Sequence, residues 1–280
     1  PNAPWPGKAG VHYTICGFTR QQVASVLSGV PVATITPSLT TSEEPEPKSL
    51  PENKGLAGEG HKPSGEFFVV QKARALQWIA EDPKNEQVLF PFFTGSDFTA
   101  HIDPPDERWC IFMGRMEEGE ARQFAGPFAW LETHMKPFRQ SHKRDRVRDR
   151  WWQFEEVRGY YQEWRASGAS MLVRPKVSET HYWYEVPERG IVNDKGDVAC
   201  QRHDSDRALL SSLTMNCWVQ RYTTRMKSDV SFNVGSCHDT FPRPRPSARL
   251  TEAARLWEQA FDAAKHSIGL APTKFFNLLN

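Results

Sequence analysis

One stretch constrains this chain more than any other: residues 134–176, where cations and large aromatic side chains crowd together. Lys136, Arg139, Lys143, Arg144, Arg146, Arg148 and Arg150 run directly into Trp151, Trp152 and Phe154, and the stretch closes on Arg174-Pro175-Lys176. Eleven Lys or Arg face five Asp or Glu here, a local excess of +6 in a chain whose formal net charge is +1. Charge concentrated in one block of a near-neutral chain suits a surface built for phosphates. The plain alternative is a solvated charged helix with a buried aromatic edge. A purely solvated helix normally intermixes signs for i,i+4 pairs, and here the signs are separated.

Length leaves room for one large or two modest domains, since 280 residues can bury a full core. A hydrophobic share of 39% with 25% charged residues fits a soluble globular protein. Ten Trp and seventeen Phe suit stacking surfaces as well as cores. No apolar run approaches the roughly 20 residues that span a bilayer, and no basic-then-apolar leader marks secretion. The five cysteines are odd in number and scattered without a CxxC pair, which argues against a disulfide framework or a tetrahedral zinc site and points to a reducing cytoplasm. The chain starts at Pro1 without a Met, as a fragment of something longer would.

Along the chain, residues 11–18 (VHYTICGF) read as a short buried strand. Residues 37–65, rich in Pro, Glu, Ser, Lys and Gly, read as a long connector. A regular domain restarts near Glu66, with a helix over 72–81 and strands over 88–93 and 109–113. Residues 117–165 read as mostly helical, interrupted near Pro127 and Pro137. Strands over 171–173 and 181–186, a polar loop over 193–197 and a helical run over 208–223 follow. Pro242, Pro244 and Pro246 form a rigid exit, and 250–264 is a clear amphipathic helix. No internal repeat is visible.

On a helix, Arg139, Lys143, Arg146 and Arg150 would fall in one stripe, with Val147, Trp151 and Phe154 in a neighbouring one. Two segments imitate methyltransferase catalytic loops and both are discounted. Asp103-Pro104-Pro105-Asp106 lacks the aromatic that stacks a flipped base, and Asn2-Ala3-Pro4-Trp5 lacks the first Pro. No glycine-rich strand–turn–helix segment offers a nucleotide cradle. The nine histidines show no HExxH or paired spacing. Cys237, His238 and Asp239 are adjacent and so cannot face one another as nucleophile, base and orienter. Neither catalytic nor metal-ligating residues are therefore assigned. In Arg225-Met226-Lys227-Ser228-Asp229, an extended backbone would place Lys227 and Asp229 on one face. Such a pair could address a guanine edge and a cytosine amino group, or be a mundane surface ion pair.

The order of these segments resembles the C-terminal part of the long adenine-specific (N6) DNA methyltransferases, including single-chain type IIG restriction–modification enzymes and related phage-defence methylases. The landmarks are Pro6-Gly7-Lys8-Ala9-Gly10-Val11-His12, then Leu89-Phe90-Pro91-Phe92-Phe93-Thr94-Gly95-Ser96-Asp97, then Lys136-Pro137-Phe138-Arg139 with Arg150-Trp151-Trp152. Arg174-Pro175-Lys176-Val177-Ser178, Arg225-Met226-Lys227-Ser228-Asp229, Phe241-Pro242-Arg243-Pro244 and Ile268-Gly269-Leu270-Ala271-Pro272-Thr273-Lys274-Phe275-Phe276-Asn277 complete the series. Where the family carries paired Asn before Phe-Pro, this chain has His238-Asp239-Thr240-Phe241.

The resemblance implies a mixed α/β target-recognition domain of short strands and helices. The last strands of a Rossmann-like methyltransferase domain would precede it, and a C-terminal helix would follow. The expected division is 1–65 for the methyltransferase tail and linker, 66–246 for target recognition and 247–280 for the helical segment. It further implies sequence-specific recognition of double-stranded DNA, with Lys136, Arg139, Lys143, Arg144, Arg146, Arg150, Arg174, Lys176 and Arg225 on the DNA backbone. Lys227, Asp229, Ser178, Glu179 and His181 would read bases, with Thr180 on the same second loop. S-adenosylmethionine would serve the parent enzyme through an upstream methyltransferase domain of the same polypeptide, with none bound by this fragment, which would be inactive alone. Attached or associated nuclease or defence subunits, no membrane, and a bacterial cytoplasmic, nucleoid-associated setting complete the expectation. The rival is a protein-interaction module that docks a nuclease, helicase or other defence subunit. RNA or single-strand binding lacks any signature.

Overall fold

The computed structural model describes residues 3–4, 12–13, 15–21, 23–36, 39–41, 46–178, 181–226 and 229–274. In chain order the strands are β1 (Ala3–Pro4), β2 (His12–Tyr13), β3 (Ser25–Leu27), β4 (Val30–Val32), β5 (Ala57–Glu59), β6 (Val69–Gln71), β7 (Leu89–Phe93), β8 (Arg108–Ile111), β9 (Ser170–Pro175), β10 (Val177–Ser178), β11 (Tyr184–Glu185), β12 (Ile191–Val192), β13 (Gly196–Gln201), β14 (Thr224–Met226) and β15 (Asp229–Ser231). The helices are α1 (Lys72–Glu81), α2 (Asp97–Ala100), α3 (Glu118–Ala121), α4 (Ala125–Arg139), α5 (Asp145–Asp149), α6 (Gly159–Ala166), α7 (Asp206–Leu210), α8 (Leu213–Tyr222) and α9 (Ala248–Ile268).

Three sheets carry the site. The first runs β12-β7-β8-β6, with β12 parallel to β7 and the other pairs antiparallel. α1 and α4 pack on it, and one core gathers Trp78, Phe128, Leu131, Trp151, Trp152 and Phe154. The Trp151 and Trp152 rings meet edge to face at 5.6 Å, an arrangement worth about 0.5–1.5 kcal/mol beyond burial. The second sheet, β11-β9-β13-β5, is antiparallel throughout. Its period of two divides two further cores. Met171, Val173, Val198 and Cys200 face Tyr161 and Trp164, while Leu172 and Ala199 face Trp183, Phe232 and the buried side of α8. The third sheet is β10-β15-β14.

Local chemistry explains the boundaries. α1 spans the residues read from the sequence, burying Ala75 and Trp78 and stopping where Asp82 and Pro83 turn the chain. The Ser247 hydroxyl accepts the Leu250 amide to start α9, and Gly269, at φ 68°, ends it in the left-handed region. This helix is longer than the 250–264 reading.

Several readings need correction. Within 11–18, Ile15 and Phe18 are exposed, the latter at 96%, and among the described residues only His12–Tyr13 pairs as strand. The 37–65 connector supplies β5, an edge strand of the second sheet. Its exit is held by close approach: a Cβ at Gly60 would stand 2.0 Å from the Asn193 carbonyl oxygen. The helical stretch 117–165 is four helices, not one run broken at prolines. Pro127 sits in the first turn of α4, where no amide partner is needed, and Pro137 lies inside the last turn. The breaks fall instead at residues 122–124, 140–144 and 150–158. Thr224–Met226 and Asp229–Ser231 are separate strands that pair antiparallel, with Met226 opposite Asp229, so Arg225 and Asp229 do not lie on one extended strand. Among the described residues, no helix is long and apolar enough to cross a membrane.

Candidate nucleic-acid interface

The basic block does not form one stripe, because the α4–α5 break sends its cations to different surroundings. Arg139, in the last turn of α4, is 1% exposed. Its guanidinium donates to the carbonyls of Trp151, Gln153, Pro63 and Ser64 and lies 4.8 Å from the Phe68 ring centre. Burial draws its pKa down to about 10. Arg174 is 0% exposed. It follows Leu172 by two along β9, so it points into the core shared with Phe232, whose ring lies 4.5 Å below its guanidinium. No hydrogen-bond partner meets it among the described residues, and burial again lowers its pKa to about 10. Neither arginine faces solvent, so neither can touch a phosphate in this conformation. That corrects both assignments: a cation-rich motif reads as surface, whereas strand alternation and the four-carbonyl socket put these two inside.

The remaining cations of the block are at the surface and most have partners. Lys136 lies 3.4 Å from Glu132 and 5.2 Å from the Trp151 ring centre. Arg144 donates to Glu155 at 2.6 Å. Glu155 is itself buried; Ser64, Lys62 and Arg144 hold its carboxyl below the ordinary range despite that burial. Arg146 donates to the Glu155 carbonyl, and Arg150 meets Glu117 at 2.9 Å. Lys143 is exposed. Signs that look separated in the sequence are thus brought together by the fold, with Glu132 and Glu117 from outside the block and Glu155 from within it.

Arg146 and Arg150 open into a cleft of about 460 Å³, shared with Arg115, Arg158, Gln153, Glu156 and Val157. Arg115 lies outside the basic block and was missed; nothing local in the sequence marks it. Arg158, within the block but not singled out, is fully engaged. It donates to Glu59 at 2.8 Å and to the Gly60 carbonyl at 3.4 Å, and forms an ion pair with Glu156 at 2.8 Å.

Glu59, at the end of β5, joins this cleft to the third sheet. One carboxylate oxygen takes Arg158 and the other takes Lys176, and Lys176 holds the carboxyl below its usual range. Lys176 leads into β10, and its carbonyl accepts the Phe232 amide at 3.1 Å. Ser178 stands opposite Val230 in β15, and Arg225 stands opposite the same residue from β14. Asp229 begins β15. Lys227, Ser228, Glu179 and Thr180 lie outside the described residues. His181 turns inward: its Nε2 lies 2.7 Å from the Leu210 carbonyl and its ring 5.9 Å from Phe232. Burial, with Arg174 nearby, pushes its pKa down to about 3, so the ring stays neutral. Its Nε2 is engaged with the Leu210 carbonyl rather than offered to a base.

The second sheet also buries Asp197, the direct cross-strand neighbour of Arg174. Burial raises its carboxyl to about 7, and its Oδ2 finds no donor among the described residues. His238 is bound on both sides, by Asp239 at 3.1 Å and by Arg243, and so cannot serve Cys237 as a base. No group of three or more His, Cys, Asp or Glu is arranged to hold a metal among the described residues.

Comparison with known proteins places this geometry in context. A family model described as the MmeI target recognition domain matches residues 43–245. Among solved structures, the chain is similar to the type IIL restriction–modification enzyme MmeI in complex with DNA, at a TM-score of 0.64 and 17% identity, over 87% of this chain and 33% of that one. At that identity the likeness establishes a shared fold, and the chain spans about a third of the solved enzyme's length. No curated protein matches.

Proposed function

The chain belongs to the MmeI target recognition domain family, and from that premise we propose that it reads duplex DNA sequence for a restriction–modification methyltransferase. The observation that carries the reading is the bridge at Glu59. It holds Arg158, in the cationic cleft, and Lys176, at the root of β10, so cations and the β10-β15-β14 sheet share one surface. Phosphate contacts then position the duplex and base contacts specify it. Lys143, Arg146 and Arg150 are the proposed backbone contacts, with Lys136, Arg144, Lys176 and Arg225 at the margin. Lys227 and Asp229 are the proposed base readers, with Ser178 and Glu179 beside them in the reading.

The parent enzyme, on this reading, methylates adenine at N6 using S-adenosylmethionine. Cofactor and chemistry fall to an upstream methyltransferase domain of the same polypeptide. Nuclease or defence subunits are further proposed partners, and a bacterial cytoplasmic, nucleoid-associated setting fits.

Exchanging the two reader charges tests the assignment. Lys227→Glu with Asp229→Arg should change the preferred base pair at one position of the methylated sequence, by roughly 1–3 kcal/mol against the old base. Other positions should stand, and duplex binding should fall steeply with salt. An unchanged methylated sequence would remove Lys227 and Asp229 as readers. Absence of duplex binding at low salt, with tight binding to a partner protein, would overturn the function itself.

A further inference from the structure

Three guanidinium groups in the arginine cleft are anchored in a way that leaves each of them unfilled. Arg115 gives one nitrogen to the Val157 carbonyl at 3.3 Å, and Arg146 gives one to the Glu155 carbonyl. A carbonyl orients a guanidinium without cancelling its charge, so both keep a full positive charge and free N–H groups. Arg150 gives one nitrogen to Glu117, whose carboxylate is 69% exposed and well solvated. The acid that lines the cleft, Glu156, is already taken by Arg158 at 2.8 Å. Arg158 in turn has a partner at each of its three nitrogens, Glu156, Glu59 and the Gly60 carbonyl. The cleft is therefore a cationic notch with its one lining carboxylate neutralised and three part-filled forks around about 460 Å³.

We propose that Arg115, Arg146 and Arg150 form a phosphodiester-binding notch that takes one backbone phosphate of duplex DNA, with Arg115, from outside the basic block, as an essential third fork. This rests on the DNA-recognition reading above and deepens it. A phosphodiester offers two unesterified oxygens that share one negative charge, and planar guanidinium forks match such pairs of acceptors. The carbonyl tethers hold the forks in place before the ligand arrives, which reduces the ordering cost on binding. A solvated salt-bridge cluster would pair each arginine with an acid. Here Arg115 and Arg146 have none among the described residues. Free inorganic phosphate presents the same oxygens, so source as well as chemistry must be tested.

The experiment measures duplex affinity of the intact protein across salt concentrations, for wild type, Arg115→Ala and Arg115→Lys. Arg115 is exposed, so thermal midpoints should be unchanged. The slope of log affinity against log salt should shrink by about one unit in Arg115→Ala and stay near wild type in Arg115→Lys. A second arm scans duplexes carrying one uncharged methylphosphonate at successive positions. Wild type should lose affinity at one position that Arg115→Ala no longer senses. Steep wild-type salt dependence with an unchanged Arg115→Ala slope would sink the notch while leaving DNA recognition intact. Salt-insensitive wild-type binding would sink the DNA reading itself. Competition by millimolar inorganic phosphate with no methylphosphonate effect would assign the notch to free phosphate and overturn the duplex assignment.

Discussion

Arg139 and Arg146 stand seven residues apart in one cationic run, and the fold treats them in opposite ways. Arg139 is enclosed by four carbonyls and the Phe68 face, tying α4 to the 63–64 and 151–153 segments. Arg146 is tied at one nitrogen and opens into a cleft. The same side chain is a cross-brace in the first setting and a ligand fork in the second. What separates them is whether its hydrogen-bonding capacity is used inside the protein. A cation whose donors are spent on buried carbonyls contributes to stability and little to binding; one with spare donors does the reverse.

The largest way to break this comparison is to remove the brace. Arg139→Ala should cost about 3–5 kcal/mol of stability, since it leaves a cavity and buried carbonyls without donors. The fraction that remains folded should bind duplex with the wild-type salt slope. Chemical denaturation and salt-dependent binding measured together decide it. An unchanged unfolding midpoint with a slope reduced by about one unit would move Arg139 to the DNA surface.

A second, smaller test sharpens the contrast between buried and solvent-facing charge. Glu59, beside Lys176, is held below the usual carboxylate range, whereas burial lifts Asp197, beside Arg174, to about 7. An unfolded Asp titrates near 4. Between about pH 4 and pH 7 the folded chain therefore keeps a proton that the unfolded chain has released. Stability from this group accordingly falls as pH rises through that window and levels off above it. Asp197→Asn removes the effect, so the variant should gain on wild type by on the order of 2 kcal/mol between pH 5 and pH 8. Parallel melting curves that keep a constant gap across this range would show Asp197 to be an ordinary ionised partner of Arg174.

Much of this fold was legible in the sequence where a single element decides its own fate. The 72–81 helix has its apolar face and its Asp-Pro stop in one stretch, and the order of landmarks carried the family. Legibility ended where distant residues decide. The signs in 134–176 look separated until the fold brings in Glu117 and Glu59 from outside and turns the stretch's own Glu155 onto Arg144. Residues 57–59 look like connector because their strand character comes from pairing with β13. Arg174 looks like surface because its motif is basic, although its parity with Leu172 already points inward. Arg115 carries no local signal at all; only the return of the 157 carbonyl beside it makes a fork.

The smallest effect belongs to Arg144, which separates exposure from availability. Its side chain is 62% exposed, more open than many binding residues, yet its partner Glu155 is almost fully buried. Lys62 and Ser64 also hold that carboxylate, so losing Arg144 leaves it satisfied. Arg144→Ala should therefore cost no more than about 0.5 kcal/mol, as for other exposed pairs. Its effect on the salt slope should be well under the one unit expected of Arg115, because a phosphate would have to displace a buried carboxylate to engage it. Denaturation and salt titration of Arg144→Ala beside Arg115→Ala measure the difference directly. A full unit lost in Arg144→Ala would mean that DNA breaks the Glu155 pair, and exposure rather than spare donors would then be what sorts these arginines.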